Sequence, residues 1–177
     1  MARKTVAIIG SAGAESEEKE YKVAWEMGKL LARENLTLIS GGLGGIMEAA
    51  CRGAWEEGGE KARIVGILPG DNPLHANPYV NIPIPTGIGE ARNAIVAGSY
   101  AVIAIGGGSG TLSEMALAWK KGKLLLAWRG GGFSSYFADK NLDNMEEDKS
   151  FTRDDRVMGF DEPQEAIQFI KKFLPLD

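Results

Sequence analysis

Short apolar runs that each end in glycine, separated by longer stretches of helical periodicity, constrain this chain more than any other feature. Thr5-Val6-Ala7-Ile8-Ile9 runs into Gly10, Leu36-Thr37-Leu38-Ile39 into Gly41-Gly42, and Ala101 to Ile105 into Gly106-Gly107-Gly108. Arg63 to Leu68 is closed by Pro69-Gly70, and Leu124 to Trp128 is followed by Gly130-Gly131-Gly132. Runs of this length without polar alternation are strands buried on both faces. Between them, Val23, Met27, Leu30 and Leu31 recur at helical spacing within Glu17 to Arg33. Ile46, Ala49, Ala50 and Ala54 do so within Gly45 to Glu57, ahead of Gly58-Gly59, a helix stop. Further helices are expected over Gly89 to Ser99, Thr111 to Lys121 and Glu162 to Phe173. Strands that alternate with helices in this way build a parallel sheet covered on both sides. The expected fold is α/β: a single Rossmann-like, doubly wound domain over residues 1–177, with a mostly parallel sheet.

Two stretches depart from the alternation. Val80 to Pro85 sets Val80, Ile82 and Ile84 between polar residues and prolines, which confines that strand to an edge or an irregular segment. Residues 129–156 lose the pattern altogether, and a long unpatterned segment of this kind is read as a lid, an arm or a flexible loop.

Composition narrows the function. Lys+Arg 20 against Asp+Glu 24 gives a net charge of −4, with basic residues no denser than pairs, which argues against nucleic acid as the partner. One cysteine and one histidine exclude a disulfide framework and the common zinc sites. No apolar run is long enough to span a membrane or to serve as a signal peptide, so the expected location is the cytoplasm with no membrane partner. The 24 glycines are nearly twice the usual share of about 7%, and they cluster.

Four clusters fall where strands give way to helices, the edge at which open parallel sheets bind ligands. They are Gly10-Ser11-Ala12-Gly13, Ser40-Gly41-Gly42-Leu43-Gly44-Gly45, Thr86 to Asn93, and Gly106-Gly107-Gly108-Ser109-Gly110-Thr111. Glycine lets backbone N–H groups approach an anion, and a helix N-terminus adds about half a positive charge. Phosphate is the natural guest. The candidate binding residues are Gly10, Ser11, Gly41, Gly42, Gly44, Gly45, Thr86, Gly87, Arg92, Asn93, Gly107, Gly108, Ser109, Gly110, Thr111 and Glu114. Neither GxxxxGK[ST] nor GxGxxG is present, so a P-loop nucleotidase and a nicotinamide enzyme fit poorly. Glu114, one turn into its helix, could cap N–H groups, act as general acid or base, or hold ligand hydroxyls. Arg92 could pair with a phosphate, with Glu114, or with a surface carboxylate. Trp128, at a strand end beside this edge, is a candidate ring contact. His75, Cys51, Trp25, Trp55 and Trp119 read as structural.

Gly107-Gly108-Ser109-Gly110-Thr111-Leu112-Ser113-Glu114 resembles the GGxGTxxE core of the LOG-like superfamily, whose members were often labelled "possible lysine decarboxylase". Gly41 to Ala49 and Thr86 to Asn93 resemble its second glycine loop and its arginine segment. Three motifs in order, over roughly residues 4 to 128, carry the resemblance. In the cytokinin-activating members it implies hydrolysis of the N-glycosidic bond of a nucleoside 5′-monophosphate, with Glu114 and Arg92 as the catalytic pair. The Gly107 to Thr111 loop would hold the phosphate. The motif's proline is Gly106 here, and the arginine segment ends Gly-Glu-Ala-Arg-Asn rather than His-Glu-Arg-Lys. Both features are more similar to the branch of molybdenum cofactor carrier proteins, which bind a phosphorylated pterin. No lysine lies in any of the four loops, which excludes a pyridoxal phosphate decarboxylase. The leading expectation is a binding or carrier protein for a nucleotide monophosphate, phosphate or molybdopterin-type ligand, with no required cofactor and no metal. A nucleoside monophosphate phosphoribohydrolase and a nucleotide sensor are the alternatives. The resemblance also implies a homodimer or homotetramer, with the Arg92 segment near the interface.

Overall fold

The computed structural model describes residues 4–143 and 156–173. Among them, seven strands form one sheet: β1 (Thr5–Gly10), β2 (Thr37–Ser40), β3 (Ile64–Leu68), β4 (Ile82–Pro85), β5 (Ala101–Ile105), β6 (Leu124–Trp128) and β7 (Met158–Phe160). The order is β4-β3-β2-β1-β5-β6-β7, and every neighbouring pair is parallel. The helices are α1 (Lys19–Arg33), α2 (Ile46–Gly58), α3 (Asn93–Val96), α4 (Ser109–Lys120), α5 (Gly132–Phe137) and α6 (Pro163–Phe173).

Two apolar layers follow from the period of each strand. Val6, Ile8, Ile103 and Ile105 point to one face and pack with Met27, Leu31, Ala50 and Ile170 of α1, α2 and α6. Ala7, Ile9, Val102 and Ala104 point to the other, against Val96, Met115, Ala118 and Phe137 of α3, α4 and α5. α1 and α2 touch through bare backbone. A Cβ at Gly28 would run into Ala50 O and one at Gly53 into Trp25 O, so neither helix could carry a side chain there. Just beyond the end of α1, Asn35 at a φ of 55° turns the chain toward β2.

The edge position expected of the proline-rich run is observed: β4 pairs with β3 alone and is exposed along its length. Three features differ from the sequence-based expectations. Gly89 to Ser99 is not one helix but a 3-10 turn, Gly89–Arg92, running into the four-residue α3. β7 is a three-residue strand without a legible pattern. Of the 129–156 stretch, the first part holds α5, and residues 144–155 lie outside the described residues.

Trp128 is corrected. It is 2% exposed, its ring is packed in the layer with α1 and α6, and its Nε1 donates to Asp161 O. A side chain at the end of a fully buried strand had a core to fill, so it turns away from the ligand edge. Cys51 is a buried core residue whose thiol is pushed up to about 11 by burial. No helix among the described residues is long and apolar enough to cross a membrane.

Candidate functional site

The sheet order reverses direction between β1 and β5, since the connections leaving these two neighbours run to opposite sides. A crevice therefore opens above their carboxyl ends. Here it is a cleft of about 320 Å³, walled by Gly10, Ser11 and Ala12 after β1, by Leu43 and Met47 at the entry to α2, by Glu90, Arg92 and Asn93, and by Gly108 to Thr111 with Glu114. A wider hollow of about 630 Å³, bordered by Asn35, Glu57, Lys61 and Arg63, lies near the start of β3, away from the helix N-termini at the carboxyl edge.

The loop after β5 is held from outside the cleft. Ser134 N donates to Gly106 O at 3.1 Å and Phe133 N to Gly107 O at 3.4 Å, so α5 takes both carbonyls. In trans peptides the N–H groups of Gly107 and Gly108 then point away from α5. Ser134 Oγ accepts from Gly106 N at 2.9 Å and bonds back to Trp128 O at 2.9 Å. Gly106 sits at φ 60°, which proline, fixed near −65°, cannot adopt. The departure from the motif is thus built into the backbone. Beyond it, Gly108 caps α4 with no side-chain acceptor, and the first intrahelical bond is Leu112 N to Gly108 O at 2.9 Å. The N–H groups before it are those a helix leaves for an outside partner.

Arg92 and Glu114 are the only charged side chains buried among the described residues. The 3-10 turn delivers Arg92 inward, where Nη1 donates to Ile67 O at 3.2 Å and the guanidinium lies over Gly41. Glu114 falls on the buried side of α4. Desolvation pushes its carboxyl up to about 7, with Glu90 adding to the rise and Arg92 opposing it. No ion pair within 4 Å joins Arg92 to Glu114 among the described residues; they share the cleft without neutralising one another. Asn93 Nδ2 donates to Ser113 Oγ at 2.8 Å and lies 3.4 Å from Glu90 Oε2.

Of the residues singled out by sequence, the cleft brings together Gly10, Ser11, Arg92, Asn93, Gly108, Ser109, Gly110, Thr111 and Glu114. Gly41, Gly42, Gly44, Gly45, Thr86, Gly87 and Gly107 do not line it. Gly41 backs Arg92, Gly45 backs Ser11 and Ala12, and Gly107 packs on the Thr111 side chain. Thr86 Oγ1 donates to Leu68 O at 2.7 Å and Gly87 N to Gly70 O at 3.0 Å, which ties that turn to the end of β3. Ala12, Leu43, Met47 and Glu90 complete the wall unforeseen, as does Ser134 behind the loop. Met47 had a signal, since it is the second residue of α2 and follows the glycine loop by two positions; Ser134 had none within a segment that lacks periodicity.

The profile of the SLOG cluster4 family matches residues 3–167. The chain is similar to an uncharacterized protein of Archaeoglobus fulgidus, at 46% identity over 117 residues, 65% of this chain and 75% of that one. Among solved structures it is similar to the molybdenum cofactor binding protein of the phototrophic bacterium Rippkaea orientalis, with a TM-score of 0.81 and 32% identity over 98% of this chain and 99% of that one. The molybdenum cofactor carrier protein of Chlamydomonas reinhardtii gives a TM-score of 0.75 at 29% identity, over 97% and 99% of the two chains.

Proposed function

The chain belongs to the SLOG cluster4 family, and from that premise we propose that it is a cytoplasmic binding protein for a phosphorylated small ligand of the molybdopterin cofactor type, which it carries rather than converts. One observation carries this reading: the two buried charged side chains, Arg92 and Glu114, converge on a cleft that also receives the uncapped N-terminus of α4. A phosphate there would take the N–H groups of Gly108 to Thr111 and the hydroxyls of Ser109 and Thr111, and Arg92 would supply the opposite charge. Leu43 and Met47 form an apolar wall suited to the flat part of such a ligand. The near full-length likeness to the Rippkaea orientalis protein supports the ligand class. The ligand is cargo; no resident cofactor is part of the proposal.

A second reading, hydrolysis of the N-glycosidic bond of a nucleoside 5′-monophosphate, draws support from Glu114. A carboxyl that titrates near 7 can deliver or accept a proton at neutral pH, and a carboxylate can stabilise an oxocarbenium-like transition state. The deciding experiment follows base release from AMP by chromatography, with Glu114→Gln alongside and melting temperatures taken with AMP and with phosphate. The carrier reading expects a raised melting temperature and no base. Base release that vanishes in Glu114→Gln would establish the hydrolase instead.

We also propose a homodimer or homotetramer. Ile82, Ile84, Ile88 and Ile95 are exposed along β4 and around the Arg92 turn, an apolar surface suited to a second copy. Sedimentation that shows a monomer at micromolar concentration would exclude it.

A further inference from the structure

Two polar atoms on residues that line the cleft are buried without a hydrogen-bond partner: Arg92 Nε and Asn93 Oδ1. Their residues are 5% and 3% exposed, and both line the cleft. Folded proteins rarely leave such atoms unmet, so each marks a partner that the chain alone does not supply.

The Asn93 amide is fixed in direction. Ser113 Oγ donates its single hydrogen to Gly110 O at 2.7 Å, so it offers Asn93 a lone pair and requires Nδ2 there. Glu90 Oε2, at 3.4 Å, asks for the second Nδ2 hydrogen. With both donors committed, Oδ1 is held as an acceptor and cannot be exchanged for the nitrogen by rotating the amide. The neighbouring wall reinforces this, since Glu90 and Glu114 are acceptors as well when ionised.

We infer that Asn93 is a specificity-determining contact, whose Oδ1 reads a hydrogen-bond donor, a hydroxyl or an amino group, on the molecule whose phosphate sits at the N-terminus of α4. The inference rests on the phosphate-ligand reading above. It divides the cleft into an anion-binding half at Gly108 to Thr111 and a donor-reading half at Asn93. A ligand lacking the donor would leave Oδ1 unmet, as it is in the free protein, and would bind more weakly because it forgoes the hydrogen bond that a donor-bearing ligand gains.

The test is calorimetric titration of the wild type, Asn93→Leu, Asn93→Asp and Ser113→Ala with inorganic phosphate and two matched pairs. Ribose 5-phosphate and 2-deoxyribose 5-phosphate differ by one hydroxyl; GMP and IMP differ by one ring amino group. The wild type is expected to prefer the donor-bearing member of one pair by about fivefold, and the pair that shows the preference identifies the donor as sugar hydroxyl or ring amino. Asn93→Leu, of similar shape but without the acceptor, is expected to bring that ratio to about one. Asn93→Asp keeps the acceptor and the ratio. Ser113→Ala frees the amide to turn and lowers the ratio, an independent check if Asn93→Leu does not fold. Ratios that are equal in wild type and Asn93→Leu for both pairs overturn the inference and leave the phosphate site standing. Failure of the wild type to bind inorganic phosphate overturns the site itself.

Discussion

The loops after β2 and after β5 each carry four glycines and read alike in sequence, yet they use them in opposite ways. In Ser40 to Gly45 the glycines are crowded: side chains at Gly41, Gly42 and Gly45 would strike Arg92, Leu68 and the Ser11–Ala12 backbone. This loop lets three parts of the protein approach one another, and its peptide groups are spent on the fold, with Asn77 bonding Leu43 O and Gly42 O. In Gly106 to Thr111 the crowding stops at Gly107. Gly108 and Gly110 face open space, with nothing within 4 Å of where a Cβ would stand. A glycine count shows that backbone must come close to something. Only the three-dimensional neighbours show whether that something is protein or is left to be supplied.

The contrast can be broken by substitution. The largest effect is expected at Gly45→Ala, which combines a φ of 61° with a collision at Ser11 O. A loss of about 3 kcal/mol in urea denaturation is expected, and a loss below 1 kcal/mol would show that this loop yields as readily as the open one. Glu114→Gln is next. The folded protein holds the Glu114 proton up to about pH 7, whereas the unfolded chain releases it near 4.5. The folded state therefore binds more protons between these values, and wild-type stability falls as pH rises from about 4.5 to about 7, then levels off. The glutamine variant should lack that slope and be more stable than wild type at about pH 8 by roughly 3 kcal/mol. Parallel pH profiles would instead mean that burial of this carboxyl is not a cost of the open region.

Smaller effects sharpen the boundary between the two loops. Arg92→Leu removes the one cation among the described residues that line the cleft, and phosphate binding should weaken by about 10- to 100-fold. An unchanged affinity would assign Arg92 to packing over Gly41 alone. Gly110→Ala should alter stability by less than about 1 kcal/mol, in the stabilising direction because alanine favours a helical first turn. Its methyl enters the cleft, so ligand affinity should fall even as the protein is strengthened. A destabilised Gly110→Ala would erase the distinction from Gly45.

How far the sequence could be read follows from how local each signal was. β1, β5 and β6 were legible because four or more consecutive apolar residues running toward a glycine admit one environment. β4 was legible as an edge because Pro83 and Pro85 have no N–H to donate. β7 was hidden, since Met158-Gly159-Phe160 is a strand only because Trp128 and Leu126 of β6 lie beside it. α5 was hidden because six residues make too few turns to show a period. At the site, the residue types and the sheet edge could be read from glycines and motif spacing. The burial of Arg92 and Glu114, the crowded role of Gly41 and Gly45, and the hold of Ser134 on Gly106 all depend on partners distant in the chain.

The parallel pairing of β1 with β5 also has a consequence in time. Tyr100 N meets Thr5 O across 95 residues, and the cleft stands on that seam. Local contacts can assemble the β1-to-β3 half early, but this pairing must close a long loop of chain before its contacts stabilise anything. The crevice is therefore among the last features to form. On a ribosome its wall is incomplete until α4 has emerged, so the cleft proposed to bind a ligand is absent through more than half of synthesis. The proposed ligand would then favour only chains that have already joined their two halves, and its effect would fall on retarding unfolding rather than on hastening folding.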